Sequence, residues 1–259
     1  YWCCVECPGN PGAWKLHAVY HKGLKGRLKV TEDGGVIQQQ NREAAELEAR
    51  RAAQSGDAYD ELLAEGARYS SEEDWRRAAR TYREAIALRP DEPGAYCNLG
   101  AALCNSDHYV EAAQRYLEAM ERQLVGSETW ARITAWAFDA LARKACDQVA
   151  KPEWWNDKGL KALSAWVVRA APDEVIALSM RAVVLGGQHS AWETGPRSAA
   201  ELMEAATHYE RAAALHPAPA LKAEFASEAT WCRSLVEVMQ CNGLAVMRYS
   251  GGEVTLART

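Results

Sequence analysis

The chain has 259 residues, enough for one or two compact domains or for a stack of short repeats sharing one core. Apolar residues make up 48% and charged residues 25%, which excludes a chain disordered throughout. Of the net charge of −5, residues 1–30 contribute +4 (Lys15, Lys22, Lys25, Arg27 and Lys29 against Glu6), leaving −9 for the remainder; so acidic a body argues against broad nucleic-acid binding.

The first segment, residues 1–35, is a Cys- and Gly-rich head without a long helical period. Short apolar alternations at Leu16 to Tyr20 and Leu28 to Val30 suggest strands, and Asp33-Gly34-Gly35 closes the segment as a turn. The opening residues lack a charged stretch followed by an apolar run, so no signal peptide is read there. The chain starts with Tyr1 rather than Met, as a processed fragment would. No run of 18 apolar residues predicts a membrane span. Residues 36–56 read as a polar helix rich in helix formers such as Ala44, Ala45 and Leu47, ended by Ser55-Gly56-Asp57.

From Tyr59 the pattern is paired helices with a period of 34. One helix carries Leu62, Gly66 and Tyr69; Ser70-Ser71-Glu72 offers an N-cap; the next carries Ala78, Tyr82 and Ala85 and stops before Pro90. Tyr96 and Gly100 stand 34 residues after Leu62 and Gly66, and Ala112, Tyr116 and Ala119 stand 34 after Ala78, Tyr82 and Ala85. These residues, with Leu99 and Pro90, resemble the tetratricopeptide repeat family. The resemblance implies an all-α fold, a right-handed helix-turn-helix solenoid of about four repeats plus a capping helix, spanning residues 57–242. Repeats are expected at about 59–92, 93–126, 127–173 and 174–218, with a cap at 219–240 that covers the otherwise open end of the core.

The later repeats depart from the pattern. Trp130 stands 34 after Tyr96, but the helix it opens is expected to run to about Ala150, before Lys151-Pro152-Glu153-Trp154-Trp155 interrupts. A helix follows at about Lys158 to Ala170. The fourth unit is interrupted from Gly186 to Arg197, then Ala205, Tyr209, Ala212 and Pro217 repeat the spacing of Ala78, Tyr82, Ala85 and Pro90. Residues 243–259 read either as a hairpin around Gly251-Gly252 or as a disordered tail.

Three constellations carry candidate chemistry. The resemblance implies a concave groove lined by the first helix of each repeat, which by helical phase gives Leu63, Ala67, Cys97, Asn98, Ala101, Asn105, Arg132, Ala135 and Asp139. Arg132 is suited to grip a carboxylate through paired hydrogen bonds, and Asn98 to hold a peptide backbone. Family members that clamp the acidic tails of chaperones need further Lys and Asn anchors; Leu63, Ala67 and Glu128 occupy those places, so a chaperone C-terminal tail is not expected. The second constellation is Trp154, Trp155 and Trp192, which fall in the two insertions and suit either a partner surface or internal packing. The third is Cys4-x2-Cys7 with His17-x3-His21, a donor set for tetrahedral zinc, though the nine-residue spacer is shorter than in a nucleic-acid-reading finger.

Catalysis has little support: there is no Gly-rich phosphate loop after a strand and no nucleophile elbow. Cys97, Cys104, Cys146, Cys232 and Cys241 lie in helical patterns, which points to small packing residues in a reducing, cytoplasmic setting. The expected function is a non-catalytic, cofactor-free scaffold or adaptor that binds a peptide or protein in the groove. The alternatives are a structural subunit contacting neighbours through the Trp-rich insertions and tails, and a zinc-bearing protein associated with nucleic acid.

Overall fold

The structure is a computed structural model that describes residues 4–6, 14–16, 46, 56–143, 146, 152–250 and 253–258. Its described helices are α1 (Ala58–Ser71), α2 (Trp75–Leu88), α3 (Pro93–Asn105), α4 (Tyr109–Glu121), α5 (Glu128–Leu141), α6 (Asp157–Ala170), α7 (Val175–Gly186), α8 (Ala199–Leu215) and α9 (Pro219–Cys241). Five short strands accompany them: β1 (Cys4–Glu6), β2 (Trp14–Leu16), β3 (Arg197–Ser198), β4 (Val246–Ser250) and β5 (Glu253–Ala257). The chain divides into two compact units, one formed by Arg27–Val149 and one by Tyr1–Gly26 with Ala150–Thr259. The helices pack in successive pairs, which is the architecture of a helical repeat solenoid.

In the Arg27–Val149 unit the repeat is built on a ring against a missing side chain. A Cβ placed on Gly66 would lie 2.3 Å from the Tyr82 ring, and one on Gly100 would lie 2.8 Å from the Tyr116 ring. Both tyrosines are buried, so α1 meets α2, and α3 meets α4, through glycine backbone and aromatic face. Tyrosines also join one repeat to the next. Tyr59 accepts a hydrogen bond from the Ala95 backbone N–H with Arg89 over its ring, and Tyr96 donates to the Pro90 carbonyl with Arg122 over its ring. In the third repeat the glycine is replaced by Thr134, which is fully buried and returns its hydroxyl to the Trp130 carbonyl at 2.7 Å. No tyrosine stands 34 residues after Tyr116 in sequence.

Two boundaries differ from the sequence expectation. The cap of α2 is Asp74, whose side chain accepts from the Arg77 backbone N–H at 3.1 Å, not the Ser70-Ser71-Glu72 stretch. Ser71 stays in α1, with its hydroxyl bonded to the Arg68 carbonyl, and the chain then turns at Glu73 in the left-handed region (φ 60°). Asp107, 34 residues later, makes the same turn at φ 64°. The helix opened by Trp130 ends at Leu141 rather than near Ala150; Arg143 N–H reaches only three residues back, to Ala140, and Cys146 N–H reaches Arg143, bonds that tighten the chain out of the α-helix. Of the expected polar helix at 36–56, only Glu46, which is helical, and Gly56 are described.

The second unit combines α6–α9 with an antiparallel sheet of order β1-β2-β5-β4-β3. The tail is therefore a hairpin. Leu244, Met247, Val254 and Leu256 are buried in one core with Leu202, Ala205, Tyr209, Trp231, Leu235 and Met239 of α8 and α9. The alternation of buried Val254 and Leu256 with more open Glu253, Thr255 and Ala257 is that of a strand with one face on helices. In the head, the described strands are Cys4–Glu6 and Trp14–Leu16; of the expected strand from Leu16 to Tyr20 only Leu16 is described, and Leu28 to Val30 lies outside the described residues.

Two insertions in this unit are held by buried polar bonds. Arg197 is fully buried, and its guanidinium grips the Asp157 carboxylate through two bonds of 3.1 and 2.5 Å while donating to the Val184 and Gly195 carbonyls. Lys161 extends the network from Asp157 to Glu201, which closes a reciprocal cap with Ser198 at the start of α8.

Candidate binding groove

Within the Arg27–Val149 unit, α1, α3 and α5 are the first helices of successive repeats, and α2 and α4 the second. Equivalent positions on the first helices recur every 34 residues: Ala67 with Ala101, Asn98 with Arg132, Asn105 with Asp139. Ala101 and Asn105 are exposed, and Ala67, Asn98 and Arg132 are half-buried. Leu63 and Cys97 are also half-buried but lean into the core. Leu63 packs with Tyr59, Ala85 and Ala95, and Cys97 with Tyr96, Ala119 and Ile133. Ala135 is fully buried, a correction to its place among the exposed lining residues: its methyl group fills helix packing and offers no surface to a partner. The polar ends of the row are engaged locally, Asn105 with the Ala101 carbonyl at 3.1 Å and Asp139 with Arg143 at 2.8 Å.

Arg132 is different. Its buried Nε has no hydrogen-bond partner, and among the described residues no carboxylate pairs with it. Its guanidinium lies over the Trp136 ring at 5.5 Å, and that ring lies 5.9 Å from Tyr116. Stacking on an aromatic face holds an arginine in place without consuming its donors. Across on α3, burial pushes the Cys97 thiol up to about 12 against the opposing pull of Arg132, so Cys97 carries no charge near neutrality. Burial raises Cys104 to about 12 as well, with Asp139 acting in the same direction and Arg143 against it. The wall around Arg132 therefore contains a cation, the neutral Cys97 thiol and aromatic faces, with Cys104 and the Arg143-paired Asp139 further along the row. Trp136 was not among the lining residues read from sequence; its place one turn beyond Arg132 was the available signal.

The insertion tryptophans come together in the other unit. Ring centroids lie 5.8 Å apart for Trp154 and Trp155, and 5.9 Å for Trp155 and Trp192. Trp192 is buried and stacks on His189, and the Trp155 indole N–H donates to the Ala191 carbonyl. These rings pack against one another and bind one insertion to the other. Of the zinc candidates, Cys4 lies in β1, while Cys7, His17 and His21 lie outside the described residues.

Paired helices stacked at a fixed period define a helical-repeat protein. Residues 66–106 match the family model described as TPR repeat. None of the curated proteins matches the chain. Among solved structures, the chain is similar to pilF of Pseudomonas aeruginosa, with 18% identity, a TM-score of 0.51, and coverage of 80% of this chain and 87% of that one. Residues 66–106 therefore carry a tetratricopeptide repeat within a helical-repeat fold, and such repeats serve protein–protein interaction and are generally non-catalytic. Among the described residues no helix is long and apolar enough to cross a membrane.

Proposed function

We propose that the protein is a scaffold that holds a segment of a partner protein along α1, α3 and α5. The observation that carries this reading is the row of repeat-equivalent, accessible positions on these helices: Ala67 with Ala101, and Asn98 with Arg132. Small side chains leave room for a partner's backbone, and the amide and guanidinium supply directional bonds. Helices fixed by the Gly66–Tyr82 and Gly100–Tyr116 contacts present this row already ordered, so binding costs little conformational entropy in the scaffold.

The test is affinity capture with the full chain and with Ala101→Trp, followed by identification of the captured proteins and direct titration of each against both forms. Ala101 is exposed, so the larger ring is expected to leave the fold intact while obstructing the row. A partner that binds the wild type and loses affinity on Ala101→Trp supports the groove. Partners insensitive to the substitution move the binding surface elsewhere.

A further inference from the structure

We infer that the groove is matched to a partner segment presenting one acidic side chain to Arg132, beside an apolar side chain laid on Trp136. This deepens, and rests on, the groove reading above. The inference starts from an imbalance of charge. Among the described ion pairs of this unit, Arg83 reaches Glu111, which Arg115 also approaches, Arg89 reaches Asp57, and Arg143 reaches Asp139. Arg132 has no such carboxylate, although it is half-buried and its Nε is withdrawn from solvent without a hydrogen-bond acceptor. A cation kept partly out of water with unused donors is stabilised by an incoming carboxylate, and charge-assisted bonds of that kind are the stronger class.

The surroundings favour a side-chain acid over an acidic chain end. An acidic chain end brings at least two negative charges and needs more than one cation to receive them. Here Leu63 and Ala67 are uncharged, and Glu128, exposed one turn before Arg132 on the same helix, repels a second negative charge. A single carboxylate set among apolar residues needs only the one guanidinium, lies beside the neutral Cys97 thiol and the Trp136 ring, and meets Glu128 with half the charge of such a chain end. The Trp136–Arg132 stack gives the site its second specificity element, because a partner that covers the open part of the ring also shields the new ion pair from water.

The test uses the full chain and a displayed library of random 12-residue peptides whose C-termini are fused, so that the display format supplies no free end. Enriched peptides are resynthesised with amidated ends, and their affinities are measured for wild type, Arg132→Gln, Arg132→Glu and Ala101→Trp, with helicity of each variant checked by circular dichroism. The expected result is enrichment of one Asp or Glu next to an aromatic or aliphatic residue. Affinity should drop on the order of tenfold to a hundredfold when that acid becomes Asn or Gln, and by a similar factor in Arg132→Gln. Peptides without an acid preference that bind Arg132→Glu normally but lose Ala101→Trp overturn this inference and leave the groove reading intact. Peptides indifferent to Ala101→Trp, or no enrichment at all, overturn both. Tighter binding when the synthetic peptides carry a free C-terminal carboxylate in place of the internal acid assigns Arg132 to chain ends and overturns the side-chain assignment.

Discussion

A methyl group added at Gly66 would sit 2.3 Å from the Tyr82 ring, and at Gly100 it would sit 2.8 Å from Tyr116. Neither ring has space to retreat, since both are buried. Gly66→Ala and Gly100→Ala are each expected to destabilise the protein by about 1–3 kcal/mol in urea denaturation, although alanine is the better helix former in isolation. An unchanged midpoint for both would mean that the ring–glycine contact does not hold the pairs together. The opposite sign applies at Glu73, a non-glycine residue at φ 60°. Glu73→Gly should stabilise by about 1 kcal/mol by removing left-handed strain. Asp107→Gly relieves the same strain but gives up the bond that Asp107 accepts from the Tyr109 hydroxyl at 2.7 Å. The glycines and tyrosines were legible in the sequence because their spacing repeats. The left-handed turn was not, because glutamate and aspartate at those positions carry no sign of φ. Ala135 failed for a related reason: helical phase says which side of α5 it occupies but not that neighbouring side chains close over it.

Among the elements, the joint between α6, α7 and α8 depends on Arg197 and Asp157, which lie 40 residues apart in sequence. Removing one member of a buried ion pair strands the other, so Arg197→Met is expected to cost on the order of 3–5 kcal/mol, read from the shift in denaturation midpoint. Gly187 contributes in another way: it lies in the left-handed region, and a Cβ there would come within 2.8 Å of the Arg197 guanidinium. The joint also sets a pH response. Burial raises the Asp157 carboxyl, but the hydrogen bonds and charge of Arg197, aided by Lys161, outweigh it and hold the group below its ordinary value. Its stabilising contribution is complete above about pH 4 and is lost as pH falls through the lower folded value. His208 on α8 titrates earlier. Burial lowers it against the pull of Glu204 at 3.6 Å, with Arg181 also lowering it, so stability declines as pH falls from about 6.5. Burial lowers His216 as well, so His208→Gln should reduce, without abolishing, the first decline. A stability–pH curve identical to wild type between those limits would dismiss His208 as its source. Sequence periodicity showed α8 and α9 because their apolar positions recur. It gave no sign of the polar joint, since a pairing between an arginine of β3 and a helix-start aspartate has no period.

At the scale of the whole chain, the C-terminal hairpin belongs to the core. Leu244, Met247, Val254 and Leu256 are buried with α8 and α9, so truncation after Asn242 should cost on the order of 5 kcal/mol or more. The expected outcome is loss of cooperative thermal unfolding for that unit in circular dichroism; a truncated chain that melts like the full one would show the hairpin to be dispensable. The helical repeats were recoverable from the sequence because a local pattern recurs many times. The sheet was only half-visible: its strands are short, and their partners lie far along the chain, where local pattern carries no information. Trp14 of β2 is paired with Leu256 of β5, so segments far apart in the sequence meet in one sheet. A ribosome makes Trp14 long before Leu256. The contiguous unit Arg27–Val149 can fold while translation continues, whereas β2 must wait for β5 to be made before its second edge is paired. During that interval the open edge of β2 can pair with other nascent chains, so a chain cut before β5 would be an aggregation-prone product rather than a slightly shorter scaffold.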